Sequence, residues 1–353
     1  MLGGGAQGRV IAADLAASLP IAEISVLDIA RPPLPPLPNL GWIEGDGADH
    51  ATLVRRLREH DLGVGALPSR LGFGAMLAAI DAGRNLVDVS FTAEDPLSLD
   101  DAARAAGVTI APDCGLVPGL SNLLLGQAVS AGGTPRAATI MVGGVAEDAS
   151  LPFGYVVTWS LDDLMEEYTR PARIVREGRE SVVPVFSGLR QVAVTGVGMM
   201  EAFYSDGLRT LIETLPGIRD MGEMTLRWPG HAAAVRPLLA AGTLRDELRA
   251  SCTLDPPRDL VAMVVRVEHD ARAEEITLVD RYDAARGLTA MSRTTAFTTS
   301  VVAQLAAAGG LGAPGVRPLE TVARDDRACR FVLDGMAARG VRFTRREVEA
   351  GAG

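Results

Sequence analysis

Apolar positions in the first third of the chain alternate between helical spacing and short runs of strand length. Helices are predicted over 8–18, 51–60, 71–82 and 99–106, and strands over 23–28, 62–66, 85–90 and 108–111. A proline-rich stretch over 32–38 must be a loop. Strands that alternate with helices through short links form a parallel sheet with helices on both faces, so we predict an α/β, Rossmann-type parallel-sheet domain over 1–122.

The pattern changes after Asn122, where longer strand-like runs mix with separate helices. Strands are predicted over 137–143, 155–159, 173–176, 191–197, 260–268 and 275–282, and helices over 161–168, 208–214, 231–240 and 294–308. The last two strands are separated by a short polar turn and are predicted to be antiparallel neighbours. These elements indicate an α+β domain with a mixed sheet over 123–315.

A Gly/Pro-rich linker over 309–318 precedes the last predicted helix, which is amphipathic and covers about 319–338. The segment 316–353 is predicted to return to the first domain.

Composition narrows the function classes. The formal net charge of -10 argues against nucleic-acid binding, which needs a basic stripe, and against docking on an anionic membrane. No apolar run reaches the ~18 residues of a membrane span, and no signal-peptide pattern opens the chain, so a cytoplasmic protein is expected. Cys114, Cys252 and Cys329 are widely spaced, which predicts neither a disulfide framework nor a metal site. The chain has no lysine, which excludes a Schiff-base lysine.

A G-x-G-x-x-G motif spans Gly3–Gly8 and is followed at once by a predicted helix. In dinucleotide-binding turns the first glycine permits the tight turn, the second lets the backbone approach the pyrophosphate, and the third allows close helix–strand packing. The helix N-terminus attracts the phosphates. Only Met1 and Leu2 precede Gly3, so the strand expected before the turn is nearly absent. The cofactor-binding residues are predicted to be Gly3, Gly5, Ala6, Gln7, Gly8, Asp28, Asp46, Leu67, Pro68 and Ser90.

Asp28 ends the strand after that helix, at the spacing typical of an acid that binds the adenosine ribose. A carboxylate there accepts hydrogen bonds from the ribose hydroxyls and repels a 2′-phosphate. Arg31, a few residues on, could instead pair with a 2′-phosphate. We therefore predict NAD as the cofactor, with NADP left open; the alternative for Asp28 is a solvated residue at a strand end.

Four polar clusters could carry chemistry: 113–119, 201–210, 225–231 and 291–295. The first follows a parallel strand, at the edge where open α/β sheets bind ligands. In the third, an arginine beside an aromatic residue and a Pro-Gly turn would form a carboxylate fork, and His231 titrates near neutral pH. The structural alternatives are a domain-crossing loop for the first cluster and helix-terminal residues for the others.

Taken together and in order, several segments resemble the saccharopine dehydrogenase-like superfamily, most closely its lysine 6-dehydrogenase branch. These segments are GGGAQG at the start, 88–108, DCGLVPGLSN (113–122), 152–178, EAFYSDGLRTL (201–211), TLRWPGH (225–231) and TAMSRTTAF (289–297). The resemblance implies a Rossmann domain, a second domain for substrate binding and oligomerisation, and a homodimer or higher homo-oligomer. It further implies NAD-dependent oxidative deamination of the lysine side-chain amine, which yields 2-aminoadipate 6-semialdehyde and ammonia.

The candidate residues fit that chemistry, because hydride loss from an amine needs a base or a desolvated site that removes its proton. The candidate bases are Asp206, His231 and Asp113, in no fixed order. The candidate substrate-binding residues are Arg227 and Arg209 for the α-carboxylate, Glu201 or Asp206 for the α-ammonium, Tyr155 and Tyr204 as pocket walls, and Cys114.

Two departures from the branch keep other functions open. Many relatives have a basic residue where Met224 stands and a tyrosine where Trp228 stands, which puts lysine as the substrate in doubt. The first alternative is a reductase that joins an amine to an aldehyde, as in saccharopine or carboxynorspermidine formation. The second is a nucleotide-binding protein without turnover.

Overall fold

The computed structural model describes residues 1–349 and divides into two compact units. Unit 1 comprises Met1–Gly126 and Thr295–Gly340, and unit 2 comprises Gln127–Thr294 together with the described residues from Val341 onward. The helices are α1 Gly8–Ser18, α2 His50–Arg58, α3 Ser69–Ala82, α4 Asp100–Ala106, α5 Leu120–Gly132, α6 Leu161–Thr169, α7 Leu211–Thr214, α8 His231–Ala241, α9 Leu244–Cys252, α10 Ala290–Ala307, α11 Leu319–Val322 and α12 Asp326–Ala338.

The strands are β1 Ile24–Asp28, β2 Leu40–Glu44, β3 Leu62–Gly65, β4 Asn85–Asp88, β5 Thr109–Ala111, β6 Ala137–Ala146, β7 Ala172–Arg176, β8 Arg179–Val183, β9 Arg190–Val194, β10 Gly198–Ser205, β11 Asp220–Arg227, β12 Asp259–Glu268, β13 Ala273–Arg281, β14 Gly315–Val316 and β15 Phe343–Val348.

Unit 1 is built on two groups of parallel strands: β1 pairs with β2, and four strands follow one another in the order β3-β4-β5-β14. Leu2 joins the two groups, because it forms parallel bridges to Leu27 of β1 and to Gly65 of β3. Its N–H donates to Val64 O at 2.7 Å, and its carbonyl accepts from Ala66 N at 2.8 Å. The short segment before the glycine turn therefore fills the central strand position that the sequence left nearly empty.

Unit 2 contains a nine-stranded mixed sheet in the order β15-β13-β12-β6-β11-β10-β9, with β7 and β8 attached beside β11. β12 is buried along most of its length and pairs antiparallel with both β13 and β6. Because side chains alternate along a strand, β10 and β11 present two different faces. One carries an apolar cluster that includes Met200, Ala202, Met224 and Leu226.

The α/β class, the parallel first sheet and the antiparallel β12–β13 pair are confirmed. The strand predicted over 155–159 is wrong: this segment is irregular, and Val157 N donates to Cys252 O rather than to a strand. The helix predicted over 208–214 begins later, at Leu211, because Arg209 adopts a positive φ of 51° that a helix cannot contain.

The end of the chain also differs from prediction. The long last helix is two helices, with the Asp325 side chain capping α12 by accepting from Arg327 N. The linker over 309–318 contains β14, which pairs with β5. Unit 1 takes in 295–315 as well as 316–340, whereas β15 pairs with β13 in unit 2. The unit limits therefore differ from the predicted boundaries at 122 and 315, and residues 350–353 lie outside the described residues.

Candidate functional site

The glycine turn of unit 1 is shaped by close backbone contacts. A Cβ on Gly8 would lie 2.1 Å from Gly3 O, and one on Gly3, whose φ is +90°, would lie 2.6 Å from Ala66 O. Both positions therefore require glycine. At Gly5, by contrast, an added Cβ would meet no atom within 4 Å, so open space lies against the turn at the position where a pyrophosphate is expected to approach.

Asp28 braces this turn from the end of β1. Its Oδ2 accepts from Gly4 N at 2.7 Å, and its Oδ1 accepts from Ala30 N at 3.2 Å. The carboxylate is half-buried, and Arg31 is exposed. Asp28 is thus more than a solvated strand end: it orients the backbone of the glycine turn and brings a negative charge to it.

The other predicted cofactor residues lie at the carboxyl ends of neighbouring strands. Ser90, which is buried, donates through Oγ to Leu67 O at 3.0 Å and so ties the end of β4 to the end of β3. Pro68 precedes α3, and Asp46 Oδ1 accepts from Ala48 N at 2.8 Å in the loop after β2. All of them follow strands of one parallel sheet, the edge at which such sheets bind ligands.

Gln7 supports a ligand at this edge. It directly precedes α1, and both polar atoms of its side-chain amide are buried without a hydrogen-bond partner. Buried amides are seldom left unpaired in proteins, so the pair of atoms fits a site completed by a bound group or by water. With the open space at Gly5 and the first turn of α1, these residues fit the pyrophosphate of a dinucleotide.

Asp113 and Cys114 lie in the loop after β5. Asp113 is buried and has a positive φ of 54°. Cys114 is fully buried, donates through Sγ to Ala111 O at 3.3 Å, and has its thiol pKa raised by that burial and by neighbouring acids. Cys114 N also donates to Asp88 O at 2.8 Å, which fixes the loop to the end of β4. The side chain of Cys114 is therefore held inside unit 1 as a neutral thiol.

In unit 2 the second face of β10 and β11 is polar. The register pairs Glu201 with Arg227, Phe203 with Thr225 and Ser205 with Glu223, so these side chains share one face. All six are buried. A buried sheet face with this many polar groups must satisfy them internally or with a ligand.

A chain of hydrogen bonds runs from Arg227 to the main chain of Phe153. Arg227 Nε donates to Tyr168 Oη at 3.1 Å, and Tyr168 Oη lies 2.8 Å from His231 Nε2. His231 Nδ1 lies 2.8 Å from Phe153 O, a group that only accepts, so Nδ1 carries a proton. Arg227 also donates to Glu167 Oε1 at 2.5 Å.

This arrangement changes the interpretation of His231. Burial, and then the charge of Arg227, lower its pKa from 6.5 to about 3. Neutral His231 has one proton, already on Nδ1, and its Nε2 accepts from Tyr168 Oη. The structure thus shows a residue that holds Tyr168 in place, with no ring nitrogen left for a substrate proton.

Glu223 lies next to this chain on the polar face. Its Oε2 accepts from Ser205 Oγ at 2.7 Å, and Ser205 Oγ lies 2.8 Å from Thr225 Oγ1. Burial, together with the nearby acids Glu167 and Asp206, raises the pKa of Glu223 to about 8 against the hydrogen bond from Ser205. Glu223 therefore carries a proton near neutral pH.

The remaining predicted substrate residues are spread over unit 2. Asp206 Oδ1 accepts from Arg173 N at 3.1 Å and Nε at 3.0 Å rather than capping α7. The Glu201 carboxylate caps α8, accepting from Gly230 N at 2.8 Å and Ala232 N at 2.5 Å. Arg209 is buried beside α7.

The two predicted pocket-wall tyrosines lie in packed surroundings. Tyr155 is buried, and its Oη accepts from Trp159 Nε1 at 2.9 Å. The Arg227 guanidinium lies 5.3 Å from the centre of its ring, within cation–π range. Tyr204 fits against two glycines of neighbouring segments, Gly188 and Gly222. Tyr155 therefore lies beside Arg227, to which His231 is linked through Tyr168, whereas Tyr204 lies on the apolar face.

Sequence reasoning missed four buried or half-buried groups: Glu167, Tyr168, Glu223 and Asp88. Glu167 and Tyr168 lie within the helix predicted over 161–168, where an acid and an aromatic residue carry no special spacing. Glu223 belongs to GEMTLRWPGH, in which the predicted site residues were Arg227 and His231. An acid inside a predicted strand, as at Asp88, was the one signal that could have been used.

Within residues 1–349, no helix is long and apolar enough to cross a membrane. No group of three His, Cys, Asp or Glu side chains there could hold a metal ion.

A parallel sheet with a glycine turn at its central strand, an acid at the end of the next strand, and a separate mixed-sheet unit define a two-unit protein of the Rossmann dinucleotide-binding class. Two family models match the chain in order: the saccharopine dehydrogenase NADP binding domain over residues 1–111 and the saccharopine dehydrogenase C-terminal domain over residues 115–341. The chain therefore belongs to the saccharopine dehydrogenase family, whose members are NAD(P)-dependent oxidoreductases.

Individual relatives agree with this assignment. The chain is 24% identical over 260 residues to "Saccharopine dehydrogenase [NADP(+), L-glutamate-forming]" of Schizosaccharomyces pombe, which covers 68% of this chain and 57% of the relative. The enzyme of the same name from Pyricularia oryzae is 24% identical over 57% of this chain and 47% of its own length. The chain thus spans about half the length of the curated relatives it matches.

A solved structure shows the same fold. The apo saccharopine dehydrogenase (L-Glu forming) of Saccharomyces cerevisiae superposes with a TM-score of 0.80 at 15% identity, over 98% of both chains. At that identity the likeness concerns the fold alone.

Proposed function

We propose that the protein is an NAD(P)-dependent oxidoreductase of a secondary amine, in which one nitrogen joins an amino acid to an aldehyde-derived carbon. The glycine turn carries the proposal, because the open space at Gly5 and the unpaired amide of Gln7 fit a dinucleotide. The relatives, named for a reaction that forms L-glutamate, favour this substrate class over a primary amine.

In the oxidative direction, the C–H bond beside the uncharged nitrogen breaks, its hydride leaves with both bonding electrons, and a protonated imine forms. Water then adds to the imine carbon and the C–N bond breaks, which gives an aldehyde or ketone, a free amine and one proton. A bound nicotinamide coenzyme supplies the hydride acceptor. In unit 1, Asp28 holds the turn in shape through Gly4 N. The amine must be uncharged before it loses hydride, so a site that excludes water favours the reaction.

We further propose that Arg227 binds a substrate carboxylate. Its guanidinium is held in a fixed orientation by Tyr168 Oη and by Leu226 O, to which Nη1 donates at 2.9 Å. The Arg227 guanidinium donates to the carboxylate of Glu167, and a carboxylate of the substrate would accept the same hydrogen bond. Saccharopine carries several carboxylates, whereas lysine carries one, so a site rich in buried arginine suits the former.

An absorbance assay tests the substrate class. We expect saccharopine or a related secondary amine to reduce the coenzyme and to release an amino acid without ammonia, and we expect the reverse reaction from an amine, an aldehyde and reduced coenzyme. L-Lysine is the matched primary amine. Oxidation of lysine with release of ammonia, and no reaction of any secondary amine, would establish lysine 6-dehydrogenase activity and overturn the proposal.

The coenzyme preference gives a second test. We expect the wild type to use NAD better than NADP, because the Asp28 charge at the end of β1 repels a 2′-phosphate. Asp28→Asn keeps an oxygen that accepts from Gly4 N but removes the charge, so kcat/KM for NADP relative to NAD should rise about 10-fold.

Asp28→Ala is the matched variant, because it removes both the charge and the bond to Gly4 N. It should shift the preference in the same direction and also weaken binding of both coenzymes. A ratio that stays unchanged in Asp28→Asn would show that Asp28 does not face the ribose.

A further inference from the structure

Asp88 is the most unusual polar group of unit 1. It ends β4 and has a relative exposure of 0%. Its Oδ1 accepts from Ser90 N at 2.7 Å, but its Oδ2 is buried without any hydrogen-bond partner. An ionised carboxylate with an unpaired buried oxygen is very costly, so this group needs an explanation.

The position of Oδ2 is defined by the neighbouring strand. A Cβ on Gly65 would lie 1.7 Å from it, so the carboxyl group lies directly over the glycine that ends β3. Any larger residue at Gly65 would expel it. The space for this acid is therefore built into the sheet by a glycine in the adjacent strand.

Gly65 in turn adjoins the coenzyme turn. It forms a bridge with Leu2, and the next residue, Ala66, packs its carbonyl against Gly3. Because adjacent strands lie about 4.8 Å apart, the Asp88 carboxyl group is within about two strand spacings of the turn. The carboxyl group is buried, and its connection to the turn runs through Gly65 and Ala66.

The charges around Asp88 favour its neutral form. Burial, with a smaller contribution from Asp113 after β5, raises its pKa to about 7 against the hydrogen bonds from Ser90. The Cys114 thiol, a further titratable group in this region, is itself kept neutral by burial and by the neighbouring acids Asp113 and Glu320. A second negative charge here would lie between Asp113 and the phosphates of a coenzyme.

We propose that Asp88 is a positioning residue that supports coenzyme binding only while it is protonated. Its ionisation places an unpaired anion behind the glycine turn, which repels the pyrophosphate and loosens the contact of β3 with the turn. The inference rests on the proposed binding of a dinucleotide but not on the amine chemistry, so affinity for coenzyme, rather than turnover, is the quantity to measure.

The test compares the dissociation constant for NADH at pH values from 6 to 9 in the wild type, Asp88→Asn and Asp101→Asn. We expect the wild-type constant to rise about 10-fold across this range, because the anion and the phosphates repel each other in a low-dielectric site. Asp88→Asn is permanently neutral and should bind tightly with a flat profile. Asp101→Asn removes an exposed charge at the start of α4 and should follow the wild type.

A second measurement needs no variant. If NADH prefers the protonated form, binding at pH 7.5 must take up a fraction of a proton, which calorimetry in buffers of different ionisation enthalpy detects. No proton uptake, a flat wild-type profile, or a dissociation constant of Asp88→Asn that rises with pH as the wild-type constant does would overturn the role of Asp88. Binding of neither NADH nor NADPH at any pH would overturn both this inference and the proposed function. Tight NADH binding with the expected profile but no amine oxidation would sustain the inference while the proposed function fails.

Discussion

Replacing Gly8 by alanine is expected to abolish coenzyme binding and to lower the free energy of unfolding by about 3 kcal/mol or more. The added Cβ would lie 2.1 Å from Gly3 O and 2.9 Å from Gly3 C, both main-chain atoms that cannot move aside as a side chain could. Gly8 is the first residue of α1, so relief requires the helix to move away from the turn. Such a movement removes the N–H groups that would face the pyrophosphate.

Gly5→Ala is the matched control for this variant. Because nothing lies within 4 Å of a Cβ at Gly5, the melting temperature should stay close to that of the wild type. The methyl group nevertheless occupies the space where the pyrophosphate approaches, so the dissociation constant for the coenzyme should rise at least ~10-fold. Thermal unfolding and titration with NADH measure both effects. A Gly5→Ala protein that binds like the wild type would mean that the coenzyme does not approach this turn, and wild-type melting of Gly8→Ala would contradict the packing argument.

Most of unit 1 could be predicted because its signals are local. Its helices follow the spacing of apolar residues, and caps such as Asp49, whose side chain accepts from Ala51 N, mark where they begin. The central strand could not be recognised, because Leu2 forms its bridges to Leu27 and Gly65 without any run of strand residues. Long-range pairing, rather than local propensity, defines that strand.

The strands of unit 2 were harder to predict, because their burial removes the alternating pattern of apolar and polar residues. β10 and β11 are buried on both faces, and one face is polar, so neither strand shows the alternation that identifies a half-exposed strand. The segment 155–159 has apolar residues in a row but is held by single contacts, such as that of Tyr155 Oη with Trp159 Nε1, instead of a sheet ladder. Burial from several directions replaces the pattern that sequence reasoning relies on.

The candidate site shows the same limit. The glycine turn could be predicted from the sequence, because each of its glycines is needed for a separate steric reason. The partners of Arg227 could not be predicted from the sequence. Glu167 lies 60 positions away on the surface of a helix, and Tyr168 occupies a position that resembles any apolar position of that helix. For His231, the residue type suggested a base, but its burial, the charge of Arg227 and the acceptor at Phe153 O decide its protonation. Chemistry that depends on partners becomes visible only with the fold.

The buried ion pair of Arg227 and Glu167 leads to the second large effect. The Arg227 side chain is 3% exposed and that of Glu167 19%. Glu167→Ala leaves a guanidinium charge in the interior with only neutral partners, Tyr168 Oη and Leu226 O. Breaking such a pair by removing one member should lower the free energy of unfolding by about 3 kcal/mol.

The exposed pair Arg56–Glu59, with side chains 31% and 47% exposed, is the matched control. Both side chains are partly exposed to water, which screens their charges, so Glu59→Ala should cost less than ~0.5 kcal/mol in denaturant unfolding. The double variant Glu167→Ala with Arg227→Met should recover at least ~1 kcal/mol relative to the sum of the single variants, because it leaves no unpaired buried charge. A cost for Glu167→Ala no larger than that for Glu59→Ala would show that Arg227 finds water or another anion.

The same variants separate structure from substrate binding. If Arg227 binds a substrate carboxylate, Arg227→Met should raise KM about 100-fold. This factor corresponds to the loss of ~3 kcal/mol, the binding free energy of a charged, hydrogen-bonded pair. Glu167→Ala should instead lower KM, because it removes the internal carboxylate that competes with the substrate for Arg227. A KM that rises to the same extent in both variants would indicate that the pair only supports the fold, since a structural loss affects both partners alike. Opposite changes can arise only where the substrate replaces Glu167 at the guanidinium.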